Sequence, residues 1–508
     1  MYAKVNSLGL FGLNSFAVDV EMEISRGTPC FDIVGLADIV VKESRERIRA
    51  ALRSCGVTFP VARVIVNLAP ADTKKAGSMH DLAILAALLK LVGIITDNTD
   101  KCAFIGEVAL NGDLRPVNGV LPMVLLAQSE GFDSVFVPAD NAYEASAVDG
   151  ITVYGVENVR NLIGHFTRES VIIPQEKYRI KPEDKFLNVD FVDVKGQQMA
   201  KLAISYAAAG NHNILMVGPP GSGKSMLAKR VSTIMPEMTF KESIETTNIH
   251  SISGLVTKDN PLVTARPLRS PHHTISGAGL SGGGTVPKPG EISLAHNGIL
   301  FLDELPEFSR QALEILRQPL EDQTVTISRA AGTVTYPCSF MLVAAMNPCP
   351  CGYAGHPTKK CICTPKQAHS YINRISGPLL DRFDIHIEVA PVDYESLSSK
   401  TKEESSAEIR ARVQEAKEIQ NQRFKGTDIT CNARITPDKL TEFCPMTDGA
   451  NAMLKNVFEK MGLSARAYDR ILKVARTIAD MDKCEVIDKP HIAKAVQFRS
   501  LDRKYWNN

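Results

Sequence analysis

The stretch Ile214-Leu215-Met216-Val217-Gly218-Pro219-Pro220-Gly221-Ser222-Gly223-Lys224-Ser225 decides the fold. Its four apolar residues read as a buried strand. The next eight match G-x-x-x-x-G-K-[ST] at every fixed position, and Met226-Leu227-Ala228-Lys229-Arg230-Val231 continues as a helix. Strand, glycine loop and helix in this order put backbone N–H groups around phosphate oxygens at the positive end of a helix. Lys224 is then expected to reach the β- and γ-phosphates, and Ser225 to hold Mg²⁺. The loop Gly218 to Ser225 predicts an α/β domain that binds a nucleoside triphosphate.

The chain has 508 residues and a formal net charge of +1. That length predicts about three domains. A charge so close to zero means that any nucleic-acid contact comes from local patches. The start of the chain lacks a charged region followed by a long apolar one, and no run approaches the ~18 apolar residues of a membrane span. A soluble, cytoplasmic protein is expected, with most of its cysteines reduced.

Residues 1–171 alternate strands and helices. Val61 to Leu68 reads as a strand, Asp81 to Lys90 as a buried helix, and Asn111-Gly112 as a hairpin turn. A polar linker is expected at 172–189. The nucleotide-binding domain spans 190–394, and 395–508 reads as an all-helical lid.

A second strand, Ile299 to Leu302, ends in Asp303-Glu304. It is expected to lie beside the strand that feeds the phosphate loop. There Asp303 holds the Mg²⁺ shell and Glu304 orients or deprotonates water. A third strand, Phe340 to Met346, ends at Asn347, a polar residue within reach of the γ-phosphate. Arg382, in Leu379-Leu380-Asp381-Arg382-Phe383-Asp384, is either an arginine finger acting on a neighbouring subunit or a surface cation paired with Asp381 or Asp384. In the helical segment, Arg466 is a candidate lid sensor, with Arg470 on the same face as its competitor.

Together these motifs resemble those of AAA+ ATPases. Ala265-Arg266-Pro267-Leu268-Arg269-Ser270-Pro271-His272-His273-Thr274 and Lys288-Pro289-Gly290-Glu291-Ile292 are similar to the magnesium-chelatase-like branch. The whole chain resembles the ComM/YifB family. The resemblance implies ATP and Mg²⁺ as cofactors and a homohexameric ring with nucleotide sites between subunits. It also implies an ATP-driven branch-migration helicase that acts on single-stranded, duplex or branched DNA in natural transformation.

Residues 67–77 and 106–119 resemble the proteolytic domain of Lon. At the position of its nucleophile stands Met79, one residue from Ser78, and the segment Val120 to Met123 contains no lysine base. The expected N-terminal domain is therefore a Lon-protease-like α+β fold without the catalytic pair. Lys74, Lys75 and Arg63 are either DNA contacts or solvated charges. In the ATPase segment, Gln323 to Tyr336 reads as a β-hairpin whose Arg329 lies near the tip and can grip phosphate without reading bases. Lys258, Arg266, Arg269, His272, His273 and Lys288 add candidate DNA-binding charge.

Cys349, Cys351, Cys361 and Cys363 form two C-x-C pairs. They are either a structural Zn²⁺ site, tighter in spacing than usual, or four free thiols. Two other activities fit part of the pattern. A metal-chelatase motor subunit need not carry the Lon-like segment, and an ATP-dependent protease lacks its Ser–Lys pair here.

Overall fold

The computed structural model describes residues 1–179, 189–330, 332–392, 398, 403–499 and 501. Residues 180–188 of the expected linker, Ala331 at the hairpin tip and the expected boundary at 394–395 lie outside the described residues. The fold is mixed α/β, with one parallel sheet and a run of C-terminal helices.

A seven-stranded mixed sheet fills the N-terminal part. Its first two strands, Tyr2–Phe11 and Asn14–Ser25, form a long hairpin in which Phe11 faces Asn14 and Gly12 takes φ 65°. The strand Arg63–Ala69 buries every second residue, as a strand with one face on a core must. The helix Asp81–Leu91 is apolar nearly all round and buried accordingly. The Asn111-Gly112 turn is present between the short antiparallel strands Glu107–Val108 and Leu114–Arg115.

The five strands of the second sheet are all parallel. Their order is Leu268–Arg269, Ile299–Leu302, Met341–Met346, Ile214–Val217 and Ile385–Glu388. Ile299–Leu302 is therefore not adjacent to the strand feeding the phosphate loop. The Asn347 strand lies between them. The three central strands are buried at every residue, the pattern of a parallel sheet covered on both faces. In such a sheet the carboxyl ends line up, and Gly218, Asp303 and Asn347 emerge along one edge.

The helices Ser406–Arg423, Asp448–Met461, Ala465–Met481 and Lys489–Gln497 follow. The first opens with a capping box between Ser405 and Glu408. His212, at the start of the strand to the phosphate loop, is buried between Asp384 (3.2 Å) and Thr477 (2.7 Å) and joins the sheet to the helices. Burial by itself would raise the Asp384 pKa. The bond and charge of His212, with the charges of Arg470 and Lys473, outweigh it and hold the group at about 2.

Among the described residues the N-terminal part meets the ATPase part at several points, two of which bear on the site. Ser251, on the helix Phe240–Ile252, donates to buried Glu144 at 2.8 Å. The Phe11–Gly12 turn lies on the hairpin of Thr324–Arg329 and Gly332–Pro337, where a Cβ on Gly332 would meet the Phe11 ring at 2.7 Å. Among the described residues no helix is long and apolar enough to cross a membrane.

Candidate nucleotide site and nucleic-acid interface

The phosphate loop joins Ile214–Val217 to the helix Lys224–Ile234, with Gly221 and Gly223 at positive φ. A Cβ on Gly221 would touch nothing, but its φ of 77° is a conformation that favours glycine. Ser225 Oγ donates to Asp303 Oδ2 at 2.5 Å, although their strands are not adjacent. Lys224 Nζ donates to the carbonyls of Gly218 (2.7 Å) and Pro219 (2.9 Å) and to Asn347 Oδ1 (3.2 Å). Burial pulls its pKa down, against the charges of Asp303 and Glu304. A mostly buried ammonium whose bonds all go to neutral oxygens fits an anion. A hydroxyl beside a carboxylate fits a hard cation such as Mg²⁺.

Glu304 follows Asp303 with left-handed backbone angles (φ 52°, ψ 47°), costly for a residue with a side chain and concentrated at functional positions. Its carboxylate is half exposed, and Oε2 lies 3.4 Å from His273 Nδ1. The parallel pairing of Leu268–Arg269 with Ile299–Leu302 carries Ser270–His273 to the same edge as Glu304. His273, by sequence one of the candidate DNA contacts, lies here beside Glu304 of the candidate nucleotide site. The only signal in the sequence was its place a few residues beyond an apolar Leu268.

Arg382 is tied to Glu321 (2.5 Å) and to the carbonyls of Arg317 and Pro378. Neither Asp381 nor Asp384 is its partner. Arg470 is partly buried, 3.5 Å from Asp384, and its Nη1 has no hydrogen-bond partner among the described residues. Arg466 is exposed, with no bond or ion pair among the described residues.

The candidate DNA contacts separate into two groups. Arg266 is nearly buried and donates to the carbonyls of Pro236, Asn297 and Glu237 and to Glu242. Arg269 forms a two-pronged pair with Glu291 at 2.6 and 2.7 Å. The Arg266 fork is satisfied inside the fold, and two of the three Arg269 nitrogens are engaged by Glu291. Arg329 and Lys288 are exposed and near each other. A Cβ on Gly283, the strand partner of Lys288, would stand 3.3 Å from Arg329. Exposed Lys258 lies over the Tyr143 ring of the N-terminal part, at 5.8 Å.

In the N-terminal part, Ser78 bonds to Glu107 and Lys75 to the Pro70 carbonyl, so the two are not paired with each other. Lys75 is fully buried and is not a DNA contact. His80 bonds to buried Ser7 at 2.9 Å. Burial, with the charge of Lys75, brings it down to about 4.

The four thiols converge. Cys349, Cys351, Cys361 and Cys363 hold their sulfurs within 4.8 Å of one another, and three of the separations are 3.4, 3.6 and 3.7 Å. A tetrahedral zinc with Zn–S near 2.3 Å needs about 3.8 Å between sulfurs. Hydrogen bonding by the Tyr353 backbone is the largest of several effects that bring the Cys351 thiol down to about 6, against a smaller opposing effect of burial. This knuckle rests on the phosphate loop: a Cβ on Gly352 would collide with Pro220 at 2.4 Å.

This site, at the carboxyl edge of a parallel sheet, defines a phosphate-loop protein of the AAA+ class. The family described as magnesium chelatase, subunit ChlI, matches residues 190–397, its C-terminal part matches 403–499, and a further ChlI match covers 20–141. The chain belongs to the ComM/YifB family of magnesium-chelatase-like AAA+ ATPases. It is 41% identical to competence protein ComM of Haemophilus influenzae, over 99% of this chain and 98% of that one. Uncharacterized protein YifB of Escherichia coli is 39% identical, over 98% of this chain and 97% of its own. A DNA replication licensing factor of Schizosaccharomyces pombe is 30% identical over 35% of this chain and 19% of its own.

Proposed function

We propose that this protein is an ATP-driven DNA motor that moves branch points in recombination intermediates, working as a homohexameric ring in the cytoplasm during natural transformation. The observation that carries this reading is the convergence of Lys224, Ser225, Asp303, Glu304 and Asn347 on one sheet edge, in a chain whose hairpin presents Arg329 beside Lys288. The competence name of one relative and the DNA replication name of another support DNA as the polymer. The domain layout that goes with it is a Lon-like part at 1–171, an ATPase at 190–394 and a lid at 395–508.

In this reading Lys224 binds the β- and γ-phosphates, and Ser225 and Asp303 hold Mg²⁺. The cation, when bound, offsets charge on the phosphates. Glu304 takes the proton of the attacking water, and Asn347 hydrogen-bonds the γ-phosphate. Arg382 acts on the neighbouring subunit's nucleotide, and must exchange Glu321 for phosphate to do so. Arg466, exposed at the lid, is the better placed sensor, since Arg470 is already held by Asp384. The four cysteines bind a structural Zn²⁺ that braces the phosphate loop through Gly352.

A test measures ATP turnover with no polymer, with single-stranded, duplex and four-way-junction DNA, and with casein. Stimulation by DNA with junction displacement is expected, and Glu304→Gln should bind ATP but displace nothing. Casein cleavage, or no response to any DNA, refutes the reading. A chelatase motor is the second reading. The N-terminal sheet docked on the hairpin disfavours it, since that contact ties the N-terminal part to the candidate DNA-gripping element.

A further inference from the structure

From Asn347 to Leu380 the chain contains no Asp or Glu, while it carries Lys359, Lys360, Lys366 and Arg374. In a chain of net charge +1 this is a local excess of positive charge. The fold concentrates it. Sulfur convergence pins Cys361 and Cys363 against Cys349 and Cys351, and so places Lys359 and Lys360 at one side of the knuckle. Thr364 caps the helix Pro365–Ile372, whose first turn carries Lys366. Across from that helix lies Arg310, and the two border an open cleft of about 680 Å³.

Lys359, Lys360, Lys366 and Arg310 are all exposed, and none has an ion pair among the described residues. Arg374 alone is neutralised, by Glu307 at 3.0 Å. The same knuckle carries Ile362 at its surface, 84% exposed, between two cysteines. A strip of ammonium groups without acidic partners, of which Lys359 lies over the Tyr353 ring at 5.0 Å, with an apolar point suits a charged polymer with flat apolar units. It does not suit a small anion, which would need a closed pocket.

We infer that the cysteine knuckle and the adjoining cleft form a second nucleic-acid backbone site, with Lys359, Lys360 and Lys366 contacting phosphates. The inference rests on the DNA-motor reading. It adds a contact distinct from the hairpin with Arg329. It also supplies a mechanical link, because the knuckle touches Pro220 of the phosphate loop. A strand held by these lysines and a nucleotide held by that loop share one rigid support.

The test is equilibrium binding of labelled single-stranded and duplex DNA across a salt series, using the full chain and the combined variant Lys359→Gln, Lys360→Gln, Lys366→Gln. Metal content and thermal midpoint confirm that the variant is folded. If it loses metal, the three single variants replace it. The variant is expected to bind at least about tenfold more weakly at low salt, with the duplex salt slope reduced by about 3 and the single-strand slope by about 2. Unchanged affinity and slope, with the native protein binding DNA normally, overturn the inference and leave the motor reading standing. Failure of the native protein to bind any DNA overturns both. Loss of ATP-dependent self-association with DNA affinity intact makes the strip a protein contact, and also overturns the inference.

Discussion

Replacing Glu144 by glutamine is expected to make the junction between the N-terminal sheet and the ATPase part insensitive to pH. Glu144 is 4% exposed. It accepts from Ser251 Oγ and from Asn141 Nδ2, both at 2.8 Å. Burial raises its pKa from 4.5 to about 7, against those bonds and that of the Leu121 backbone. Proton binding sets the sign. Between pH 4.5 and about 7 the folded chain keeps a proton that the unfolded chain has lost, so stability falls as pH rises through this window. The contribution is complete below the lower value and lost above the higher one. At about 1.4 kcal/mol for each tenfold change in proton affinity, the loss between about pH 5 and about pH 8 is about 2–3 kcal/mol.

A glutamine keeps the shape. Its oxygen accepts from Asn141, and its amide donates to the Ser251 hydroxyl, which can turn to accept. The native chain and the Glu144→Gln variant would be compared by urea unfolding and by amide exchange over the helix Phe240–Ile252, at both pH values. The variant should match the native chain at low pH and gain about 2–3 kcal/mol over it at high pH. Parallel pH dependences for the two chains would refute the argument.

Other outcomes follow from single contacts. His273→Ala removes the partner 3.4 Å from Glu304 and should raise DNA-free ATP turnover several-fold at unchanged ATP affinity; unchanged or slower turnover rejects a restraining role. Gly332→Ala places a Cβ 2.7 Å from the Phe11 ring at φ 140°. It should loosen the N-terminal hairpin by about 1–3 kcal/mol, read as faster amide exchange over Tyr2–Phe11, and native exchange rates would count against this contact. Stripping the proposed zinc with a chelator, verified by metal analysis, should lower the thermal midpoint and slow ATP turnover. Native turnover after verified loss would sink the brace.

Much of the nucleotide site was legible in sequence because its signals are local. A glycine loop between an apolar strand and a helix reads the same in any context, and Asp303 and Asn347 were found as polar ends of apolar runs. The hairpin at 324–337 was legible for the same reason, as two β-rich arms around Ala330-Ala331-Gly332. What failed was partner assignment. Arg266 and Arg269 looked like free cations because their acceptors are remote in the chain: Glu242 and the Asn297 carbonyl for one, Glu291 for the other. Asp381 and Asp384 are the neighbours of Arg382 in sequence, while its partner Glu321 lies on the earlier helix Arg317–Asp322. The order of the central strands was misread because local apolarity says that a strand is buried and not which strand lies beside it.

A phosphate loop, an acid-ended strand and a helical C-terminal part are all legible in the order of residues alone. Those properties are written in spacing over a few residues, where backbone geometry leaves little choice. It takes the folded chain to show which charges keep acidic partners, that His273 faces Glu304, that the four thiols meet against Pro220, and that Glu144 is buried under Ser251. Each depends on groups far apart in the chain being brought within a few ångströms. Burial and pairing then fix the charge state of each group, and no local pattern encodes them.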